Sequence, residues 1–353
     1  MKSSVVLFGI AVAWLVTLVY NKLNINYTKH NFGLNECQVA NIPNAAEDLE
    51  LYNDLVISGT SDLRNLFFGE GSATQRGGLI QFDPVRNIWS EIPIENFPQD
   101  LDFNPHGINL FHNQLYVINH AYKNHSEQVE VFVLNQVDGA VKATYEKSIV
   151  IGEEFLGRLN DLAVVSDGEF YITEWTTANH LSYLTRVTQF LLGMFLKRTR
   201  LFYCKDLKGF AECQVVDRGH MMNGVITFED QLFVADSLSM SVYSYTILED
   251  KNLTNKQVVK LNHLVDNLSF YSPRKIYSAG IVKPLEAISG TSGVVTGAVS
   301  EIVKEGHTWK AKQIVEEDLI SMPSTAIRFG DSIVMSSPID YKLVTCSPAP
   351  YNL

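Results

Sequence analysis

Six pairs of adjacent residues, Glu47-Asp48, His106-Gly107, Asn160-Asp161, Asn223-Gly224, Asp266-Asn267 and Ser324-Thr325, carry the groups in this chain best suited to chemistry. Five of the six offer a hard oxygen donor or an imidazole. Carboxylate and amide oxygens suit calcium, which takes about six to eight oxygen ligands, whereas a zinc site would draw on His or Cys. Asx residues at strand starts also simply make turns, so one pair alone would mean little. Their recurrence at a single repeat position is what points to a cation-centred site.

Each pair heads the same unit: an apolar residue, a short strand, a turn and a second strand rich in aromatic and β-branched residues. The instances are AEDLELYNDLVISG from 46, PHGINLFHNQLYVINH from 105, LNDLAVVSDGEFYITE from 159, MNGVITFEDQLFVADS from 222, VDNLSFYSPRKIYSAG from 265 and PSTAIRFGDSIVMSS from 323. Short apolar runs between turn residues, with long helical periodicity nearly absent, predict an all-β body. The spacing is close to the roughly 40–50 residues of a four-stranded propeller blade plus loop insertions. Six blades around a central channel are the simplest closure, because each blade buries its faces only against its neighbours. The polar pairs should then line one end of the tunnel.

At these same residues the sequence resembles the paraoxonase (arylesterase/lactonase) family, six-bladed propellers with two calcium ions in the tunnel. The resemblance runs from Cys37 to Cys346. Its marks are CQVANIPNAAEDLE at 37–50, FNPHGI at 103–108, VINH at 117–120, LNDL at 159–162, NGV at 223–225 and LVDNLS at 264–269, with the late Cys346. It implies an upper, catalytic calcium held by Glu47, Asn160, Asn223, Asp266 and Asn267. A lower, structural calcium would take Asp48, Asp161 and the backbone carbonyl of Ile108. Because adjacent residues on an extended strand point opposite ways, the pairs Glu47-Asp48 and Asn160-Asp161 can serve one ion each.

The implied chemistry is hydrolysis of a small lipophilic carboxylic ester, a lactone or an aryl ester. The upper ion would polarise the carbonyl, and His106 would take a proton from the attacking water. His120 would orient His106 and pass the proton to solvent, and Asp266 competes as base or nucleophile. Both histidines have a structural reading too, as satisfied neighbours in a turn or at a strand end. The other histidines match nothing in the pattern and read as surface or packing residues. The family commonly carries a free Cys followed by His in blade five, whereas this chain has KIYSAGIVKPLE from 275, so the pocket wall near Ile281 must differ. Met221 and Met222 suit an adaptable apolar pocket, or packing. Two rivals stand beside the esterase: a non-catalytic calcium-stabilised binding propeller, and a strictosidine-synthase-like or gluconolactonase-like propeller.

The charge sum, 28 Lys and Arg against 39 Asp and Glu for −11, with no long basic block, leaves no footprint for nucleic acid. Bound calcium would cancel part of that excess inside the tunnel. Residues 3–20 are uncharged and, at 1.5 Å per residue, span roughly 27 Å, longer than an ordinary signal-peptide core. An uncleaved signal anchor over 1–22 is favoured over cleavage near Ala11-Val12-Ala13, followed by a linker at 23–36 and the propeller at 37–353. A helical insertion is expected at about 178–200, where Leu181, Leu184, Val187, Leu191 and Leu192 fall near helical spacing before Lys197, Arg198 and Arg200. It would cap the tunnel mouth and contact a membrane through 181–200, or only pack on the propeller top.

A Cys37–Cys346 bridge would close the ring, while Cys204 and Cys213 could pair across a hairpin or stay reduced. Glycosylation acceptors stand at Asn26, Asn124 and Asn252; a fourth, Asn267, should stay bare if it is a tunnel ligand. Disulfides, glycan acceptors and calcium together put the body on the lumenal or extracellular side, anchored or secreted.

Overall fold

Strands such as Gln114–Ala121 and Gln231–Asp236 run as unbroken apolar stretches, LYVI and LFVA, because neighbours cover both of their faces. The computed structural model describes residues 13, 16–17, 19–20, 23–24, 27–30, 32–68, 76–178, 182–289 and 294–348. Among these residues the strands form six sheets in sequence order, antiparallel except that Ile94–Glu95 joins the edge of blade two in parallel, the expected six-bladed propeller. The innermost strands are Pro105–Phe111, Leu159–Ser166, Met222–Phe228, Leu264–Ser272 and Thr325–Phe329 in blades two to six, and the short Ala45–Ala46 and Glu50–Tyr52 in blade one.

The sixth blade takes its outermost strand from the other end of the chain. Leu34–Asn41 pairs antiparallel with Lys342–Pro348, and a Cys37–Cys346 disulfide ties the same two strands. The propeller therefore begins ahead of the expected boundary at 37. A buried apolar cluster fills each of the six gaps between blades, from Ile57 against Ile108 and Val117 between blades one and two to Val56 against Ile327 and Val334 between blades one and six.

The inner strands are not regular. In blades two to five the register with the neighbouring strand shifts between Pro105 and Ile108, Leu159 and Leu162, Met222 and Val225, and Val265 and Leu268. Each shift falls on the polar pair, so the pairs sit in β-bulges, which re-aim side chains near a barrel or tunnel axis. Glycine is required where inner strands of adjacent blades come closest. A Cβ on Gly107 would lie 2.3 Å from the Asn160 carbonyl oxygen, and one on Gly224 would lie 2.5 Å from the Asn267 Cα. Gly107→Ala is therefore expected to destabilise the fold by about 2–3 kcal/mol through overpacking. Thermal melting checks this, and an unchanged midpoint would mean that the blades are not so tightly apposed.

The insertion in blade three forms a helix over Tyr183–Phe195, capped by the Ser182 hydroxyl, which accepts the Thr185 N–H. It is shorter than the expected 178–200, because Thr199 and Arg200 are recruited into a blade strand; residues 179–181 lie outside the described part. The leucines at helical spacing do not form the packed face. Phe190 and Met194 pack inward on Leu238, while Leu184, Leu191 and Leu192 are exposed. The helix is apolar on both sides, so spacing alone could not tell which side the propeller would take. Val19 and Leu23 join the inward cluster, and the Asn24 amide donates to the carbonyls of Asn262 and Val282. Most of the predicted anchor lies outside the described residues; among those described, no helix is long and apolar enough to cross a membrane. Cys204 and Cys213, opposite each other in one hairpin, form a second disulfide, so the alternative of reduced thiols falls.

Candidate metal centre and active site

The bulges sort the polar pairs between two cavities. Glu47, His106, Asn160, Asn223 and Asp266, the first member of each pair in blades one to five, line the upper cavity. Asp48, Ile108 and Asp161 line a second cavity farther along the same inner strands, with Glu50. Glu47 and Asp48 lie in the irregular link between two short strands, so it is bulge and link geometry, not plain strand alternation, that separates the sets. The sixth pair plays a different part. Ser324 and Thr325 donate their hydroxyls to the Glu47 carbonyl oxygen at 2.5 and 2.9 Å and hold the Glu47 segment against blade six.

Asn267 is fully buried, its amide donating to Glu47 Oε1 at 2.8 Å and to Thr325 at 3.1 Å, and it has no room for a glycan. Of the other acceptors, Asn26 lies outside the described residues. Asn252 is exposed in a turn, and Asn124 is exposed with its amide bonded to Asp102 and Asp100.

Burial, then repulsion from Asp266, Asp48 and Asp161, pushes the Glu47 carboxyl well above its ordinary range. Burial likewise raises Asp266 to about 7, Asp48 to about 6 and Asp161 well above normal. Among the described residues no lysine or arginine forms an ion pair with any of these four. Carboxylates of one sign buried together in a tunnel, if ionised, need a counter-charge.

The amides make the same point. Glu47 Oε2 and the Oδ1 atoms of Asn160, Asn223 and Asn267 are buried with no hydrogen-bond partner. Buried acceptors are nearly always satisfied, so four orphaned oxygens on four neighbouring residues fit a hard cation. Among the described residues no three His, Cys, Asp or Glu side chains gather as a metal cluster. A cation here would lean on amide oxygens, as calcium can and zinc seldom does. The lower pair is better served, since Asp48 accepts the Leu49 and Ile108 N–H groups and Asp161 those of Leu162 and Val225.

His106 closes the upper cavity from blade two. Its Nε2 is 3.5 Å from the Asn160 amide and 3.9 Å from Glu47 Oε1, and its Nδ1 is 2.8 Å from His120 Nε2. Burial, then the neighbouring His120, lowers the His106 pKa well below normal. His120 does not open on solvent as expected. It is fully buried, and its Nδ1 stands 2.9 Å from both carboxylate oxygens of Glu127.

Glu127 was missed by sequence reasoning. The signal lies in hairpin register, which pairs Glu127 directly with His120 across the 3₁₀ turn Tyr122–Asn124. The rest of the upper wall is mostly apolar, with Phe190, Met221, Leu238, Leu264 and Ile281, and Thr176, Gln189 and Ser237 add polar groups. Ile281 thus faces the cavity, where the family's Cys-His would alter it. Met222 does not; it is buried between blades three and four.

A family model described as Arylesterase matches residues 78–276, more than half of the chain. Serum paraoxonase/lactonase 3 of Oryctolagus cuniculus is 31% identical over 206 residues, covering 54% of this chain and 52% of its own length. Serum paraoxonase/arylesterase 2 of Homo sapiens is 25% identical over 278 residues, 74% of each chain. The chain thus spans about half the length of the first curated relatives it matches, 52% and 46%. Among solved structures, the Malassezia sympodialis allergen Mala s 1 superposes with a TM-score of 0.53 at 8% identity, covering 88% of this chain and 96% of that one. The PQQ-bound aldose sugar dehydrogenase of Streptomyces coelicolor superposes at 0.50 with 9% identity, covering 89% and 99%. At such identities those two share the fold alone, whereas the family match takes in blades two to four and the His106, Asn160, Asn223 and Asp266 positions: this chain belongs to the arylesterase family, that of the serum paraoxonases.

Proposed function

We propose that the protein is a calcium-dependent hydrolase of carboxylic esters, acting on lipophilic lactones and aryl esters, with His106 as general base. The observation that carries this reading is the convergence, around the cavity His106 faces, of orphaned oxygens from Glu47, Asn160, Asn223 and Asn267 beside the raised carboxyl of Asp266. Those five residues would hold the upper ion, and Asp48, Asp161 and the Ile108 carbonyl the lower. Bound there, calcium supplies positive charge that polarises a carbonyl and stabilises developing oxyanion charge.

The chain's own groups do the rest. His106 is kept neutral by burial, so at neutral pH its ring can take a proton from a water in the cavity. The water oxygen bonds to the carbonyl carbon, the ester C–O bond breaks, and the proton passes from His106 to the departing alcohol oxygen. The apolar wall of Phe190, Met221, Leu238 and Ile281 favours an uncharged, lipophilic acyl or lactone chain. Two disulfides fit work in an oxidising, lumenal or extracellular compartment. The exposed Leu184, Leu191, Leu192 and Phe195, followed by Lys197 and Arg198, support contact of this rim with a membrane surface.

The test is hydrolysis of a panel of lactones and phenyl esters with calcium, with chelator, and with His106→Gln. Calcium-restored turnover is expected, with kcat/KM reduced about 10²-fold in the variant. Full activity in His106→Gln removes it as base. Failure to hydrolyse any member would favour a calcium-stabilised binding propeller.

A further inference from the structure

We infer that Glu127 is a positioning residue that completes a buried relay, Glu127–His120–His106, and sets which nitrogen of each imidazole carries its proton. The inference rests on the assignment of His106 as base and adds the group that orients it.

The geometry is specific. Glu127 and His120 are direct cross-strand partners, so their side chains share one face of the blade. Glu127, His120 and His106 are 0, 0 and 2% exposed, which leaves the relay no contact with bulk water at its far end. Along the Glu127 strand the same face continues with Val129 and Val131, both in the core cluster between blades two and three. A carboxylate at a position the strand otherwise fills with valine costs several kcal/mol to bury unless its partners repay the lost water.

Those partners are donors. The Gly157 N–H points at Oε2 from 2.9 Å, and His120 Nδ1 lies 2.9 Å from both oxygens. An N–H shared evenly between two carboxylate oxygens is the arrangement of an ionised acceptor facing a donor; a protonated acid would give its hydrogen from one oxygen. Burial pushes Glu127 well above the carboxylate range and His120 down to about 3, which alone would leave both neutral, while the Gly157 and Leu159 N–H groups and Arg158 push Glu127 back. The even two-oxygen geometry decides for the carboxylate.

Proton order then follows along the chain. With Nδ1–H of His120 committed to Glu127, His120 Nε2 has only a lone pair and must accept from His106 Nδ1–H across 2.8 Å. On that order His106 carries its lone pair on Nε2, 3.5 Å from the Asn160 amide and 3.9 Å from Glu47 Oε1, with the Leu159 backbone also hydrogen-bonded to the ring. The opposite order would place N–H on Nε2, where it could not accept a proton from water. Glu127 thus selects the productive tautomer without touching substrate.

The experiment compares Glu127→Gln and Glu127→Leu with wild type in calcium, by kinetics, thermal melting and ¹⁵N-imidazole NMR. Wild-type His120 should show the Nδ1–H tautomer. Both variants should lose about 30-fold in kcat with KM held within about twofold, a smaller loss than His106→Gln. Glu127→Leu should melt lower than wild type, because it strands the Gly157 and His120 donors, whereas Glu127→Gln keeps an acceptor for them and should melt close to wild type, so its kcat loss reads positioning rather than folding. Combining Glu127→Gln with His106→Gln should add almost nothing to the single His106 loss, as for residues acting as a unit. If His106→Gln is impaired while both Glu127 variants keep full kcat, or if wild-type His120 carries its proton on Nε2, the positioning role is overturned and the base assignment stands. A loss of kcat that only tracks a lowered melting point makes Glu127 structural and also overturns it. Full activity in His106→Gln sinks the parent reading instead.

Discussion

If the tunnel holds the proposed cation, removing it with a chelator is expected to lower the melting temperature of this protein, and to lower it more at pH 8 than at pH 5. The tunnel carboxyls Glu47, Asp48, Asp161 and Asp266 are all raised, chiefly by burial, with Asp48 at about 6 and Asp266 at about 7. A carboxyl whose folded pKa exceeds its unfolded value binds more protons folded than unfolded. It favours folding fully below its unfolded pKa of about 4, and that contribution is lost as pH rises through the folded value. The cation-free protein should therefore weaken from about pH 4 to pH 7, by on the order of 3 kcal/mol for these coupled groups.

Glu50, buried and raised to about 8, acts in the same direction. Calcium bound as proposed would reverse the trend, since ligands must be deprotonated to bind; an ion at about 1,000 times its Kd would add roughly 4 kcal/mol. Asp48→Asn with Asp161→Asn removes two of the mutually repelling charges. That variant should melt higher than wild type in chelator, depend less on pH, and gain less from calcium. A chelated wild-type protein whose melting point is flat from pH 5 to pH 8 would show that these carboxyls are not held as charge-starved ligands.

Replacing Cys37 and Cys346 together by serine should be the most destabilising change outside the tunnel, at up to about 5 kcal/mol. The bridge spans 309 residues and joins the first strand to the last blade, so it withholds more freedom from the unfolded chain than any local crosslink can. It also holds a seam that the sheet must close by itself once the disulfide is gone, with Ala40 and Leu343 packed in the cluster behind it. The Cys204–Cys213 bridge spans nine residues within one hairpin, and its removal should cost under about 3 kcal/mol. Denaturant melts of the two double-serine variants decide the matter. A larger loss from the hairpin bridge than from the ring closure would refute the ordering.

The six-bladed architecture, and the place of the oxygen-bearing residues at its axis, were determined by the sequence itself. Strand alternation and turn residues are local, so a unit repeated six times declares a closed ring of blades, and a polar pair at the head of each unit declares a shared axis. Residues such as Glu47, Asn160 and Asp266 were legible for that reason: a hard-oxygen side chain recurring at one position of the repeat singled them out.

What only the tertiary structure decided are matters of register and of which face turns inward. The bulges at His106, Asn160, Asn223 and Asp266 aim the first pair members into one cavity, and Asp161, like Asp48 in blade one, falls in the other, a division that strand alternation suggested for a different reason. The helix at Tyr183–Phe195 is apolar on both sides and turned its Phe190 face inward because Leu238 and Val19 wait there. Cys204 met Cys213 because the hairpin register placed them opposite. Glu127 stayed hidden on the same ground: its place beside His120 depends on how a six-residue excursion around a 3₁₀ turn closes, and that closure is set by packing between blades, which no local pattern records.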